Sequence, residues 1–182
     1  HIVDDVLDVA RVQGQGGEFS PVPALALDAE VEDFCNEWAA QHGQVQRLLL
    51  RLGAGDANVQ FAPEHLRRVL VNLLDNAARY ASRRAGAIQV ETLAVRHGPV
   101  RLMVWSDGPA MEAAVQRHLF EPFFSSESRS SGLGLYICRE LCERHGASIA
   151  HERNARAQGG QSHEGNEFFI SFRRAHSGHS TF

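Results

Sequence analysis

The sequence predicts a two-layer α/β sandwich, a sheet covered by helices, and three observations carry that expectation. Segments with apolar residues at helical spacing are interspersed with short runs of strand character along one chain. The strands are mostly neighbours in sequence, so one sheet with helices packed against it is the economical arrangement. At 182 residues, 43 % of them apolar and 22 % charged, the chain suffices for one domain with a real core.

The elements follow in order. Residues 1–12 place Ile2, Val3, Val6, Leu7 and Val9 at helical spacing and begin without a cap, as the end of a longer helix does. Residues 13–19 form a linker that opens on the glycine-rich break Gln13–Gly17. A helix is predicted over 24–42 from Leu27, Val31, Phe34, Trp38 and Ala39 along one side. Strands are predicted at 45–52 and 57–61, around a Gly-Ala-Gly-Asp turn. Pro63 sits where proline opens a helix, and that helix runs to about Ser82. Strands at 87–95 and 100–106 flank the turn His97-Gly98-Pro99. Residues 107–131, small and polar around the apolar knot Leu119–Phe124, form a loop of a length that compact domains keep for function. A helix over 133–145 comes next, then strands near 148–152 and 167–173. The polar, glycine-rich stretch 155–165 reads as a mobile hairpin, and 175–182 as a flexible tail.

Composition removes several function classes. A net charge of −4 makes no electrostatic case for nucleic acid or an anionic membrane. All 18 basic residues are arginine. The absence of lysine excludes a P-loop nucleotide site and a protein-kinase-type site with its strand lysine, so phosphate contacts must come from arginine, backbone amides or a metal. The three cysteines, Cys35, Cys138 and Cys142, are odd in number in a chain that is not small. They fit buried small hydrophobes in a reducing, cytoplasmic setting better than a disulfide framework or a zinc pair.

Two segments carry chemistry. Gly132 and Gly134 flank one leucine at the mouth of a helix, where unpaired N–H groups and a partial positive charge suit phosphate. A tight loop gives the same pattern. On the helix 63–82, Leu66, Leu70, Leu73, Ala77 and Tyr80 form an apolar face, and His65, Arg68, Asn72, Asn76, Arg79 and Arg83 form a separate stripe. A wetted face explains such a stripe too, but two asparagines four apart are unusual in a helix interior. Their amide oxygens suit Mg²⁺, a hard ion that bridges phosphate oxygens, and Arg79 adds charge one turn on.

Read together, these segments resemble a known family. Asn72-Leu-Leu-Asp-Asn76-Ala-Ala-Arg79-Tyr80 resembles the N box of the histidine-kinase-type (GHKL) ATPase fold. Ser106-Asp-Gly108-Pro-Ala110-Met111 is similar to its first glycine box, Leu119–Phe124 to its F box, and Ser131-Gly132-Leu133-Gly134-Leu135 to its second glycine box. Gly165–Phe168 resembles the lead-in to its last strand. Order and spacing agree over residues 20–174, and Gly132–Glu143 reads most like the sensor kinases of type IV pilus and nitrogen regulation. The resemblance implies an α+β two-layer sandwich with a mixed, mainly antiparallel sheet packed on one side by about three helices. It implies ATP and Mg²⁺ as ligands, with Asn76 and Asn72 holding the metal, Arg79 facing phosphate and Tyr80 lining the base or ribose. Gly132–Leu135 would meet the phosphates, and 107–131 would be the ATP lid, anchored by Phe120, Phe123 and Phe124. Residues 1–12 become the end of the dimerisation and phosphoacceptor helix. The phosphorylated histidine and its neighbouring glutamate are missing, so the implied catalytic residues lie in another domain. The implied partners are that phosphoacceptor domain and a response regulator, and the implied parent is a homodimer anchored in the bacterial inner membrane.

One departure stands out. The family opens its first glycine box with an aspartate that accepts the adenine amino proton, and counting back from Gly108 puts Ser106 there. The alternation of Leu102, Val104 and Ser106 supports this register; the competing one uses Asp107 and needs a residue deleted from the loop. A neutral acceptor in place of a charged one weakens ATP binding roughly tenfold. Ala110 replaces the second glycine, at a cost of roughly 1 kcal/mol if the position needs positive φ. A degenerate, purely regulatory nucleotide module is the alternative that these two residues raise.

Overall fold

The computed structural model describes residues 23–124 and 132–175. The helix at 1–12, the linker at 13–19, the lid stretch that includes Ser131, and nearly all of the tail lie outside the described residues. The longest helix, α2 (Pro63–Tyr80), organises the rest. Pro63 opens it, where the N–H that proline lacks has no helical partner anyway. Leu66, Val69, Leu70, Leu73, Leu74 and Ala77 are all buried on its inner face. α1 (Leu27–Gln41) buries Leu27, Val31, Cys35, Trp38 and Ala39 in the same core. Asp28 in its first turn accepts the backbone N–H groups of Ala54 and Gly55 at 3.1 and 2.9 Å and the Thr92 hydroxyl at 2.5 Å, tying α1 to the sheet. α4 (Gly134–Arg144) adds Ile137, Cys138, Leu141 and Cys142.

These three helices cover a five-stranded sheet of β2 (Leu48–Gly53), β4 (Ile88–Ala94), β5 (Val100–Ser106), β6 (Ser148–Gln158) and β7 (Gln161–Phe172), in the order β2-β4-β5-β7-β6. β2 and β4 are parallel, with α2 in the crossover, and every other pair is antiparallel. Val100, Leu102 and Val104 on β5, with Phe168, Ile170 and Phe172 on β7, alternate into the shared core. The expected α+β sandwich is therefore the observed fold.

Four expectations change in detail. Ala24–Ala26 is not the first turn of a helix but a strand, β1, paired with β3 (Asn58–Gln60) in a separate two-stranded sheet. Leu25 is buried between two exposed alanines, so packing and the ladder override alanine's helix propensity. α2 ends at Tyr80, which leaves Arg83 beyond the helix. The loop after β5 contains a one-turn helix, α3 (Ala113–Arg117).

The fourth change is the largest, because the stretch 155–165 is not a loose hairpin. The β6–β7 ladder continues to Gln158↔Gln161 around Gly159-Gly160, whose φ angles of 53° and 80° suit a tight two-residue turn. Its polar residues reach across the outer sheet face: Arg156 pairs with Glu91 and with Glu167, Gln89 Nε2 donates to the Ala157 carbonyl at 3.1 Å, and Gln158 Nε2 to that of Gly86 at 2.7 Å. Trp105 is fully buried there. A Cβ at Gly165 would lie 2.5 Å from its ring and 2.2 Å from the Ser106 carbonyl, so only glycine lets β7 pass.

Candidate nucleotide site

The polar stripe of α2 runs beside two loops that the fold brings to it. At the Asn72 level, Nδ2 donates to the Gly134 carbonyl at 3.0 Å, which joins the first polar residue of the N box to the mouth of α4. At the other end, Gly108 lies against Tyr80: a Cβ there would sit 3.3 Å from the Tyr80 Cβ and 3.4 Å from its carbonyl. Asn76 lies between them, half-buried, and among the described residues its amide has no hydrogen-bond partner. Arg79 and Tyr80 are exposed at the same end. Eight residues of helix separate Asn72 from Tyr80, about 12 Å at the rise of an α-helix, the scale of an extended nucleoside triphosphate.

At the mouth of α4 the two glycines differ. Gly132 has φ +71°, and a Cβ there would lie 2.6 Å from the Phe123 carbonyl carbon and 2.8 Å from the Phe124 nitrogen. It is required by the close approach of the F box. Gly134 has no left-handed backbone, and the nearest atom its Cβ would meet is Asn72 Cγ at 3.9 Å. Its missing side chain leaves the helix mouth clear. Leu133, the N-cap of α4, makes no side-chain cap bond and is buried, Leu135 is half-buried, and no acidic residue occupies the first turn of the helix. Phe120 meets Phe168 edge-on at 6.2 Å, anchoring the F box, whereas Phe123 is left-handed and largely exposed.

The first glycine box gives Ser106 and Asp107 different surroundings. Ser106 ends β5 in register with Ile88 and Asn166, is buried, and has a hydroxyl without a partner among the described residues. Asp107 is committed elsewhere: Oδ1 accepts the Ser82 N–H at 2.7 Å and Oδ2 the Ser82 hydroxyl at 2.5 Å. Its carboxylate terminates α2. Ala110 is exposed and lies outside the left-handed region, so the conditional strain there does not arise; Met111 packs against the core edge.

Sequence reasoning missed the groups beneath this loop. Arg153 Nη1 donates to the Gly108 carbonyl at 2.7 Å, and Asn166 Nδ2 to that of Pro109 at 2.8 Å. Asn166 Oδ1 in turn lies 3.2 Å from His151 Nε2. The only signal was polar residues at alternate positions of strands otherwise facing the core.

Among the described residues, no group of three or more His, Cys, Asp or Glu is placed to hold a metal. Burial pushes the Cys138 thiol up to about 12 and raises that of Cys142 too, consistent with packing rather than ligation. Side-chain amide oxygens suit Mg²⁺ beside phosphate. Asn76, half-buried and without a hydrogen-bond partner among the described residues, fits that role; Asn72 is oriented by its bond to Gly134. At the N-terminal end of α2, His65 Nδ1 and His145 Nε2 meet at 2.8 Å, linking α2 to α4; burial lowers both, His145 to about 4.

The comparisons with known proteins give the family and the fold. Residues 61–176 match the family model described as histidine kinase-, DNA gyrase B-, and HSP90-like ATPase. The chain is 40 % identical over 163 residues to the sensor protein kinase PilS of Pseudomonas aeruginosa, covering 87 % of this chain and 29 % of that protein. It is 35 % identical over 94 residues to the sensor histidine kinase ZraS of Klebsiella oxytoca, covering 52 % of this chain and 20 % of that one. The chain thus spans under a third of the length of these relatives. Among solved structures, the catalytic domain of histidine kinase ThkA superposes with a TM-score of 0.66 at 22 % identity, over 85 % of this chain and 97 % of that one. Full-length ShkA in complex with AMPPNP gives 0.68 at 23 % identity, over 97 % of this chain and 36 % of that one. Both show the likeness of fold.

Proposed function

The chain belongs to the histidine kinase-, DNA gyrase B-, and HSP90-like ATPase family, and from that premise we propose that it binds Mg²⁺ and ATP for phosphoryl transfer to histidine within a longer sensor kinase. The observation that carries the reading is the convergence on α2. Asn72 bonds to the mouth of α4 while Tyr80 abuts the first glycine box, with Asn76 open between them. In this reading the base lies by Ser106, Gly108, Ala110 and Met111, and Tyr80 flanks the ribose side. The phosphates lie at Gly132–Leu135, with Ser131 alongside, and Arg79 contributes positive charge. Asn76 holds Mg²⁺ together with Asn72, and the bound ion neutralises charge on the phosphate oxygens.

The chain's own contribution is position and electrostatics, which is most of what phosphoryl transfer asks of a protein. The acceptor imidazole belongs to a phosphoacceptor domain of the same parent. From there the phosphoryl group passes to a response regulator. The parent is a homodimer anchored in the inner membrane, with this domain on the cytoplasmic side; among the described residues no helix is long and apolar enough to cross a membrane. The degenerate-module alternative finds no support in the comparisons. Mixing the protein with its separately made phosphoacceptor domain and γ-labelled ATP tests the proposal. Acid-labile label on that domain's histidine is expected, and a failure to transfer label when both are folded and ATP is bound refutes the transfer step.

A further inference from the structure

The loop that follows Ser106 leaves the sheet at once. Its last ladder-like bond is the Asp107 N–H to the Ala87 carbonyl at 3.1 Å. Pro109 has no N–H to give, so its carbonyl is the only backbone group by which that residue can be tethered. The two consecutive carbonyls of Gly108 and Pro109 are nevertheless both taken, by Arg153 from β6 at 2.7 Å and Asn166 from β7 at 2.8 Å. Arg153 and Asn166 are register partners, and Asn166 is also the partner of Ser106, so the three side chains form one row across β5, β7 and β6 under the loop.

The row is itself held. Asn166 gives its Nδ2 to the Pro109 carbonyl, so its Oδ1 is left to accept from His151 Nε2–H at 3.2 Å, which holds the amide in that orientation. The arm carrying both strands is clamped by Arg156 on Glu91 and on Glu167, the residue next to Asn166. Arg153 is half-buried, and its second nitrogen lies 3.7 Å from the exposed Glu164.

We infer that Arg153 and Asn166 are positioning residues for the nucleotide base, which fix the first glycine-box loop over Ser106 by its two carbonyls. This rests on the nucleotide reading above. It gives the hairpin a functional role and explains how a box with serine and alanine at two of its positions keeps a defined shape. Untethered, Gly108 is free to rotate its peptide planes, and the base edge loses a fixed wall.

The test is ATP affinity by calorimetry, with Mg²⁺ and with the metal chelated, for the unchanged protein, Arg153→Ala, Arg153→Lys, Asn166→Ala and Asn76→Ala. Arg153→Ala is expected to weaken ATP about tenfold, by the same factor with and without metal, since a charge-assisted bond is lost at the base end. Asn166→Ala follows in the same direction by a smaller factor. Arg153→Lys, still able to reach one carbonyl, recovers most of the loss, and melting temperatures stay within a few degrees, outcomes that a merely structural role does not produce. Asn76→Ala weakens ATP only when metal is present. Affinity within twofold of the unchanged protein in both Arg153→Ala and Asn166→Ala, or a loss that vanishes on chelation, overturns the inference alone. If the unchanged protein binds no ATP, the nucleotide reading fails and takes this inference with it.

Discussion

Replacing Asp107 by alanine should cost stability and spare nucleotide binding. The Asp107 carboxylate accepts two short bonds from Ser82, one from the backbone and one from the hydroxyl, just past the end of α2. Bonds to a charged acceptor contribute about 1.5–3 kcal/mol each, but they share one carboxylate, and Ser82 is open enough for water to replace part of the loss, so about 2 kcal/mol is the expected total. For a domain of this size that lowers the melting temperature by about 4–8 °C. Asp107→Asn retains one acceptor and should fall about half as far. Thermal unfolding measures the stability term, and calorimetric titration with ATP measures the rest, which should change less than about threefold, since the proposed base contact is Ser106 and the Asp107 carboxylate is engaged by Ser82. Loss of ATP binding in a variant that melts normally would show that Asp107 is the base acceptor and that the strand register has been misjudged.

Other outcomes follow from the same geometry. Ser106→Asp restores a charged acceptor at the end of β5 and should tighten ATP roughly tenfold by titration, with a small loss of stability from the buried carboxylate; unchanged affinity would remove Ser106 from the base site. Gly132→Ala should destabilise by about 2–4 kcal/mol in denaturant unfolding, combining left-handed strain with displacement of the Phe123–Phe124 backbone. Gly134→Ala meets only Asn72 at 3.9 Å, so it should leave stability within about 1 kcal/mol and instead weaken Mg²⁺–ATP by crowding the helix mouth. For His145 the sign is set by burial: its folded value, about 4, lies below the unfolded 6.5, so the neutral form is favoured on folding. Its contribution is present above pH 6.5 and is lost as pH falls toward about 4. A His145→Phe variant should show a shallower fall in stability over that window, measured as unfolding free energy against pH.

Much of this was legible in the sequence because it is written in local periodicity. The apolar spacing of Leu66 to Ala77 and the proline at 63 specify α2 without tertiary information, and the alternation in 100–106 placed Ser106, not Asp107, at the strand's end. The two-glycine mouth was legible as a helix start, but the separate duties of its glycines were not. That Gly132 yields to the F-box backbone depends on a segment that folds back onto it from another part of the loop. The hairpin misled for a related reason. Glu91, Arg156 and Glu167 lie far apart in sequence with no motif to pair them, and only the sheet order brings them together into a partly buried ion cluster. Arg153 and Asn166 were invisible because their partners are backbone carbonyls, which no side-chain motif records. Ala24–Ala26 misled because Ala-Leu-Ala favours helix locally, and only the burial of Leu25 and the ladder with β3 make it a strand.

The central claim is that α2 holds Mg²⁺–ATP through Asn76, between the mouth of α4 and the first glycine box. Calorimetric titration of the protein with ATP, with and without Mg²⁺ and beside Asn76→Ala, measures it directly. Saturable single-site binding that Mg²⁺ strengthens is expected, and Asn76→Ala should return it to the metal-free value. Absence of saturation at millimolar ATP, or a response to Mg²⁺ that survives Asn76→Ala, would contradict it.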